Sequence, residues 1–349
     1  MEREQGTTPI YILSGFLGSG KTTLLQHLIS FWKDLGLRPA VIMNELGEIN
    51  LDGQLVGEEV PMAEMLGGCI CCTIKGDLSV QLYELVKQEQ PDLVVIEATG
   101  AANPMEIFDA VTESSLYLKL DIRPMITVVD AAHLAELYAS QQGKTYRLML
   151  EQIRCGSDLI LNKIDRISTE TQQEMSDLLS RLNPYARIVP ATKCEVDLPY
   201  LLEKNEQQGD RSIHTDHVPH TDSKHVHDHS HEHDHGEAGL SHSADTHASH
   251  SHASHDHVTV YTHYFSGPVN SVVFEQFIKD LPREIYRGKG ILRFSDTSSR
   301  FLFQYAYREA DYLKITPQGD VPDVAVFIGE HFDQTALAKR LKEMEEEPE

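Results

Sequence analysis

The chain has 349 residues, 40% of them hydrophobic, which is enough for a sizeable core and suggests about two domains. Lysine and arginine number 30 against 54 aspartates and glutamates, a net charge of −24 that repels phosphate backbones and anionic lipid. Nucleic-acid and membrane-surface roles are therefore not expected, and no apolar run approaches the roughly 20 residues of a membrane span. The polar stretch Met1 to Thr8 carries no signal-peptide pattern, and five cysteines, three of them at Cys69, Cys71 and Cys72, do not form a disulfide framework. Free thiols in a reducing, cytoplasmic setting are the expectation.

In chain order, apolar β-rich runs occur at Ile10–Leu13, Ala40–Met43, Leu93–Ile96, Pro124–Val129, Leu159–Leu161 and Arg187–Val189. Helical spacing separates them, as in Leu24, Leu25, Leu28, Ile29 and Trp32, and again in Leu78, Leu82, Leu85 and Val86. Strands this apolar, alternating with helices, predict an α/β fold: a phosphate-loop type of nucleotide-binding parallel sheet with helices on both faces, over residues 1–205. Residues 206–257 change character. Fifteen of the nineteen histidines fall between His214 and His257 among Asp, Ser, Thr and Ala, so this stretch lacks the apolar side chains that would offset chain entropy and is predicted to be a disordered linker. Residues 258–349 predict a small C-terminal α+β domain. Val258, Val260 and Thr262 alternate as in a strand, a helix carries Val272, Val273, Phe277 and Ile278, and strands are expected at Ile291–Phe294, Phe301–Tyr307 and Val324–Ile328. Leu337, Leu341 and Met344 then share one face of a last helix. Tyr286-Arg287-Gly288-Lys289-Gly290 reads as a charged hairpin turn, with contact to a client or to the first domain as the other option. The acidic stretch Glu343–Glu349 reads as a solvated helix end.

Gly15-Phe-Leu-Gly-Ser-Gly-Lys-Thr22 fits G-x-x-x-x-G-K-[ST], follows an expected strand and opens an expected helix. Gly15, Gly18, Ser19, Gly20, Lys21, Thr22 and Thr23 are the candidate phosphate contacts. Backbone N–H groups and the helix N-terminus favour an anion there, Lys21 suits the β and γ phosphates, and the Thr22 hydroxyl suits Mg²⁺. Asn162-Lys163-Ile164-Asp165 closes a strand on the same sheet edge. A carboxylate at Asp165 matches the two N–H donors of guanine and would stay unpaired against adenine, so GTP is favoured over ATP. Ala191-Thr192-Lys193 either covers the base or is a plain loop. Glu97-Ala98-Thr99-Gly100 ends another strand; Glu97 is a candidate catalytic carboxylate near the metal together with Lys21 and Thr22, the alternative being a capping turn. Glu45 and Glu48 add carboxylates on the same rim, in a segment read as a switch loop.

Gly67-Gly68-Cys69-Ile70-Cys71-Cys72 gathers three soft donors that suit Zn²⁺ or Cu(I) and leave a coordination position open for metal exchange. Buried or redox-sensing cysteine is the competing interpretation. His225, His227, His229, His231, His233 and His235 alternate with Val, Asp, Ser and Glu. These mostly neutral imidazoles can take Zn²⁺, Ni²⁺ or Co²⁺ as an auxiliary loading site, or the tract is an inert linker.

Taken together, G-F-L-G-S-G-K-T-T, N-E-L-G-E, G-G-C-I-C-C, E-A-T-G and N-K-I-D resemble, in this order, the CobW-like metallochaperone GTPases; the resemblance runs over Ile10–Ala191 and resumes over Val258–Glu347. It implies a G domain related to those of nickel-insertion GTPases, GTP and Mg²⁺ as cofactors, and delivery of Zn²⁺, or in some branches cobalt or iron, to an apo-metalloprotein client. By motif, Cys69, Cys71 and Cys72 become metal ligands, and Glu45 and Glu48 fall in the switch region as further metal contacts. Leu46 stands where an aromatic is usual and Ala98 where a hydroxyl is commoner; neither is assigned a role. The expected function is a GTP-hydrolysing zinc chaperone, slow on its own because no arginine finger is evident, with a client or a second copy of the chain completing the site. The competing classes are a GTP-regulated metal reservoir and an assembly GTPase for a cobalt, iron or cobalamin pathway.

Overall fold

Alternation along the first strand separates two faces of the sheet. In β1 (Thr8–Ser14), Ile10 and Ile12 join one apolar cluster while Tyr11 and Leu13 join another, as a side-chain period of two requires. The computed structural model describes residues 6–43, 60–64, 74–140, 143–202, 258–306, 308–317 and 321–346. Cys69, Cys71, Cys72, Glu45, Glu48 and the histidines from His225 to His235 lie outside the described residues.

β1 leads through a glycine turn into α1 (Lys21–Asp34), whose Leu24, Leu25, Leu28 and Trp32 pack on Tyr11, Leu13 and, from β2 (Pro39–Met43), Val41. After β3 (Met62–Glu64), α2 (Ile74–Glu89) brings Leu78, Leu82 and Leu85 to the opposite face, against Ile10, Ile12, Ile42 and the Val94 and Ile96 of β4 (Leu93–Glu97). α3 (Pro104–Ser114) covers the same face with Ile107, Phe108 and Val111; Asn103 caps it by accepting from Met105 N, and Pro104 stands where no amide donor is needed. β5 (Leu120–Ile122), β6 (Ile126–Asp130), α4 (Ala131–Ser140), α5 (Gly143–Cys155), β7 (Asp158–Asn162), α6 (Thr169–Leu182), β8 (Arg187–Pro190) and the short α7 (Leu198–Leu202) complete the unit. Every pairing is parallel, in the order β3-β2-β4-β1-β6-β7-β8, with β5 alongside the start of β1. The order reverses direction around β1, so the carboxyl ends of β1, β4, β6 and β7 open onto one crevice.

The expected strand Pro124–Val129 is present as β6, starting two residues later, and the sequence does not reveal the short β5 ahead of it. The chain pairs twice with β1, as β5 beside Thr8–Ile10 and as β6 beside Leu13 and Ser14. Pro124, which has no N–H to give the ladder, sits between the two pieces.

The C-terminal part is a five-stranded antiparallel sheet in the order β12-β11-β10-β13-β9, formed by β9 (Val258–Tyr264), β10 (Ile285–Arg293), β11 (Arg300–Ala306), β12 (Glu309–Ile315) and β13 (Val324–Glu330). α8 (Ser271–Lys279) and α9 (Gln334–Glu346) cover one face through Phe274, Phe277, Leu337 and Leu341, against Phe303 and Phe327.

The segment Tyr286–Gly290 is no hairpin turn but the middle of β10. A Cβ on Gly290 would strike the Phe303 ring and the Val324 carbonyl, so glycine is demanded by packing here rather than by a turn. The alternate positions face the nucleotide-binding half: Arg287 pairs with the buried Asp109, and Lys289 Nζ lies 3.8 Å from Glu113. Asp109 and Glu113 are one helical step of four apart on α3, a spacing close to two residues of strand. Apolar packing continues across this junction, since Val258 and Ile328 belong to the cluster built on β1 and β4. The Tyr264 hydroxyl accepts from Leu120 N at 2.6 Å and lies 3.0 Å from the Leu118 carbonyl, to which it donates. Tyr264→Phe is therefore expected to cost about 1–3 kcal/mol by leaving the Leu120 N–H without its acceptor. Equilibrium denaturant unfolding checks this, and an unchanged midpoint would remove the hydroxyl from the account.

The acidic end also differs from expectation. Glu345 accepts from Ser266 N (2.5 Å) and Ser266 Oγ (2.7 Å), and His263 Nε2 lies 3.1 Å away. Burial acts to raise its carboxyl, but these donors outweigh burial and hold it below its ordinary range.

Candidate nucleotide site

The turn between β1 and α1 depends on glycine at three positive-φ positions, Gly15 at 135°, Gly18 at 73° and Gly20 at 115°. A Cβ on Gly15 would meet the Val128 carbonyl, and one on Gly20 the Asn162 amide. Gly20 caps α1 without any side-chain hydrogen bond, and the first turn holds no acidic residue, so the free N–H groups and positive end of the dipole are left for an anion. The hydroxyls of Ser14 and Ser19 are buried and have no protein partner. Such orphaned donors fit phosphate oxygens. Lys21 is 5% exposed and its ammonium donates to the Phe16 carbonyl at 3.3 Å, which holds the charge inside the loop. Thr23 follows, half-buried, on the same helix.

β4 delivers Glu97 beside this turn, in register with Leu13. Glu97 is 6% exposed, and the Thr22 hydroxyl donates to its Oε1 at 2.9 Å. The structure thus brings together Lys21, Thr22 and Glu97, the three expected catalytic residues. Two hard oxygens at this separation fit Mg²⁺ better than a soft metal. Gly100 lies so close to the phosphate loop that a Cβ would collide with the Leu17 backbone. Its carbonyl is fixed by the buried Gln152 of α5, whose Nε2 donates to Gly100 O at 3.1 Å and lies 3.4 Å from Ala102 O.

At the end of β7, Asn162 is 2% exposed and faces inward. Its Nδ2 donates to Ser19 O at 2.8 Å and its Oδ1 accepts from Cys194 N at 2.9 Å. Asn162 therefore ties the phosphate loop to the loop after β8, and the 3-10 turn Ile164–Arg166 follows it in the chain. Lys163 takes a left-handed φ of 62°, and its ammonium donates to Gly18 O (2.5 Å) and Asp130 Oδ2 (2.6 Å). Asp165 is exposed within the 3-10 turn, open to incoming donors. Ala191-Thr192-Lys193 runs beside that turn, with the Ile164 N–H donating to Ala191 O at 3.3 Å.

Sequence reasoning missed Asp130, Gln152 and Cys194. Asp130 Oδ1 accepts from Ala132 N and His133 N, both at 3.1 Å, a cap that its place before a helical run signals; its bond to Lys163 has no local signal. Cys194 is fully buried, its thiol donates to Gly20 O at 3.4 Å, and burial pushes that thiol up to about 12. Among the described residues no group of three or more His, Cys, Asp or Glu is arranged to hold a metal ion, and no helix is long and apolar enough to cross a membrane.

A family model described as CobW/HypB/UreG, nucleotide-binding domain, matches residues 9–190, and one described as cobalamin synthesis protein cobW C-terminal domain matches residues 258–345. The zinc-regulated GTPase metalloprotein activator 1 of Dictyostelium discoideum is 33% identical over 230 residues, covering 56% of this chain and 48% of that protein. The zinc chaperone YeiR of Escherichia coli is 33% identical over 165 residues, covering 47% of this chain and 49% of YeiR. Zinc-regulated GTPase metalloprotein activator 1 of Schizosaccharomyces pombe is 27% identical over 336 residues, covering 85% of this chain and 74% of its own. The chain thus spans about half the length of the first two relatives.

Proposed function

The chain belongs to the CobW/HypB/UreG family, and from that premise we propose that it hydrolyses GTP and uses the cycle to pass Zn²⁺ to client metalloproteins. The observation that carries the nucleotide half is the double hydrogen bond of Asn162, which makes the phosphate loop and the N-K-I-D turn one unit. In that unit Gly15, Gly18, Ser19, Gly20 and Thr23 surround the phosphates while Asp165 takes the N1–H and amino group of guanine. Thr22 and Glu97 would hold Mg²⁺, which supplies positive charge against the phosphate oxygens. Lys21 adds a fixed cation, and the first N–H groups of α1 add oriented dipoles, so the charge that develops on the leaving phosphate meets donors already in place. Asn162 and Lys163 keep the loop in shape rather than touching the base.

The metal half rests on the three thiols and on the relatives' names. Zn²⁺ is the cargo, bound by Cys69, Cys71 and Cys72, with Glu45 and Glu48 as switch-segment contacts and the tract from His225 to His235 as auxiliary storage. A reducing, cytoplasmic setting supports three unpaired thiols. The partner is an apo-metalloprotein. Zinc-loaded protein, GTP and an apo-zinc enzyme, incubated with a competing chelator, provide the test: activation of the enzyme should require hydrolysable GTP and should fail with ATP. Equal activation without nucleotide would leave a reservoir, and activation restricted to a cobalt or iron enzyme would leave an assembly GTPase.

A further inference from the structure

We infer that Asp130 is a positioning residue for guanine nucleotide binding, holding the Lys163 ammonium on the outside of the phosphate loop with one carboxylate oxygen while the other fixes the start of α4. The inference rests on the reading of this crevice as a guanine nucleotide site and deepens it.

A loop that binds phosphate through its N–H groups must keep its carbonyls engaged elsewhere. Four carbonyls of this loop accept from a side chain: Phe16 O from Lys21, Gly18 O from Lys163, Ser19 O from Asn162 and Gly20 O from the Cys194 thiol. Asn162 and Lys163 are themselves anchored. Asn162 is fixed by the Cys194 N–H, and Lys163 is fixed by Asp130, 2.6 Å away. Lysine on its own is a poor tether, because four rotatable bonds and strong hydration favour a mobile ammonium. With Asp130 side-chain exposure at 14% and that of Lys163 at 21%, the pair is shielded enough for its attraction to hold the ammonium in place.

The same anchoring reaches the base. Lys163 sits at φ 62°, where a residue with a Cβ is uncommon, and its side chain reaches both acceptors from that conformation. The next residues are the turn Ile164–Arg166, which presents Asp165. Losing the anion at Asp130 would release the lysine, loosen Gly18 and free the turn that aims Asp165. The Asp130 carboxyl is correspondingly stabilised in its charged form: burial raises it, but Lys163 and the N–H groups of His133 and Ala132 prevail and lower it.

Asn caps a helix as well as Asp does, so Asp130→Asn keeps the acceptor for α4 and removes only the charge facing Lys163. The full chain is titrated with a fluorescent GDP analogue, with unlabelled GDP as competitor, in the wild type, Asp130→Asn, Lys163→Met and the double variant. Asp130→Asn should raise the GDP Kd about tenfold, the scale of a charge-assisted hydrogen bond. The melting temperature of the nucleotide-free protein should stay unchanged. In the Lys163→Met background the second substitution should change Kd by less than about twofold, because its effect runs through the missing lysine. Asp130→Ser, which retains a cap oxygen without charge, should repeat the loss. Unchanged or tighter GDP binding by Asp130→Asn overturns the inference, as does a full additional loss on top of Lys163→Met. A wild type that binds no GDP removes the parent reading and this one with it.

Discussion

Lys21→Ala is expected to reduce GTP turnover by at least about 100-fold, the scale seen when one preorganised donor to a developing oxyanion is removed. Lys21 is the buried cation of the phosphate loop, and its charge is held in place by the Phe16 carbonyl. Alanine removes the charge proposed to face the β and γ phosphates and takes away one of that carbonyl's two donors, leaving the Ser19 N–H at 3.1 Å. Both changes act on the same loop, so nucleotide affinity should fall along with the chemical step. Phosphate release under saturating GTP, with GDP affinity measured in parallel, separates the two. If kcat stays within threefold of wild type, the phosphate chemistry lies elsewhere in the crevice.

Replacing Cys69, Cys71 and Cys72 together by serine is expected to weaken Zn²⁺ binding by more than about 100-fold. Loss of outer-shell partners alone typically costs 10–100-fold in metal affinity, and here direct ligands would be exchanged for neutral hydroxyls. Competition with a chromogenic chelator measures this, best on a chain lacking residues 214–257 so that imidazoles do not mask the thiols. GTP turnover of the same variant should stay within a few-fold of wild type, because Lys21 and Thr22 at the start of α1 and Glu97 at the end of β4 are left unaltered. Undiminished zinc affinity would move the cargo site away from the cysteines.

Much of the nucleotide site is legible in the sequence because its chemistry is written in short contiguous runs. The phosphate loop, E-A-T-G and N-K-I-D each end a strand, and a parallel sheet brings strand ends to one edge without further instruction. The meeting of Thr22 and Glu97 follows from β1 lying beside β4. The supporting residues are different. Asp130 reads locally as a helix cap, and only the neighbouring position of β7 supplies Lys163. Gln152 lies on an amphipathic helix like many others, and its hydrogen bonds to Gly100 and Ala102 span some fifty residues.

The misread segment Tyr286–Gly290 has a comparable cause. Glycine and charge in alternation carry the composition of a turn, whereas here the glycines make room for Phe303 and Phe327 and the charges answer Asp109 and Glu113. Those partners lie about 180 residues away in sequence. Composition reports what a segment contains, and only the fold reports what it faces. The same holds for Glu345, whose carboxylate is engaged by Ser266 and His263 rather than solvated.

In the proposed cycle the state of the γ-phosphate sets the grip on the metal. In sequence, the thiols lie between the segment of Glu45 and Glu48 and the strand that ends in Glu97, so the residues proposed to sense phosphate flank the proposed cargo ligands on both sides along the chain. Binding that is linked in this way must differ between nucleotide states by the coupling between the two sites, commonly 5–150-fold. The direct measurement is the Zn²⁺ dissociation constant of the wild-type chain saturated with a non-hydrolysable GTP analogue and again with GDP. Binding should be at least about fivefold tighter with the GTP analogue; equal constants in the two states would mean that the nucleotide does not control the metal.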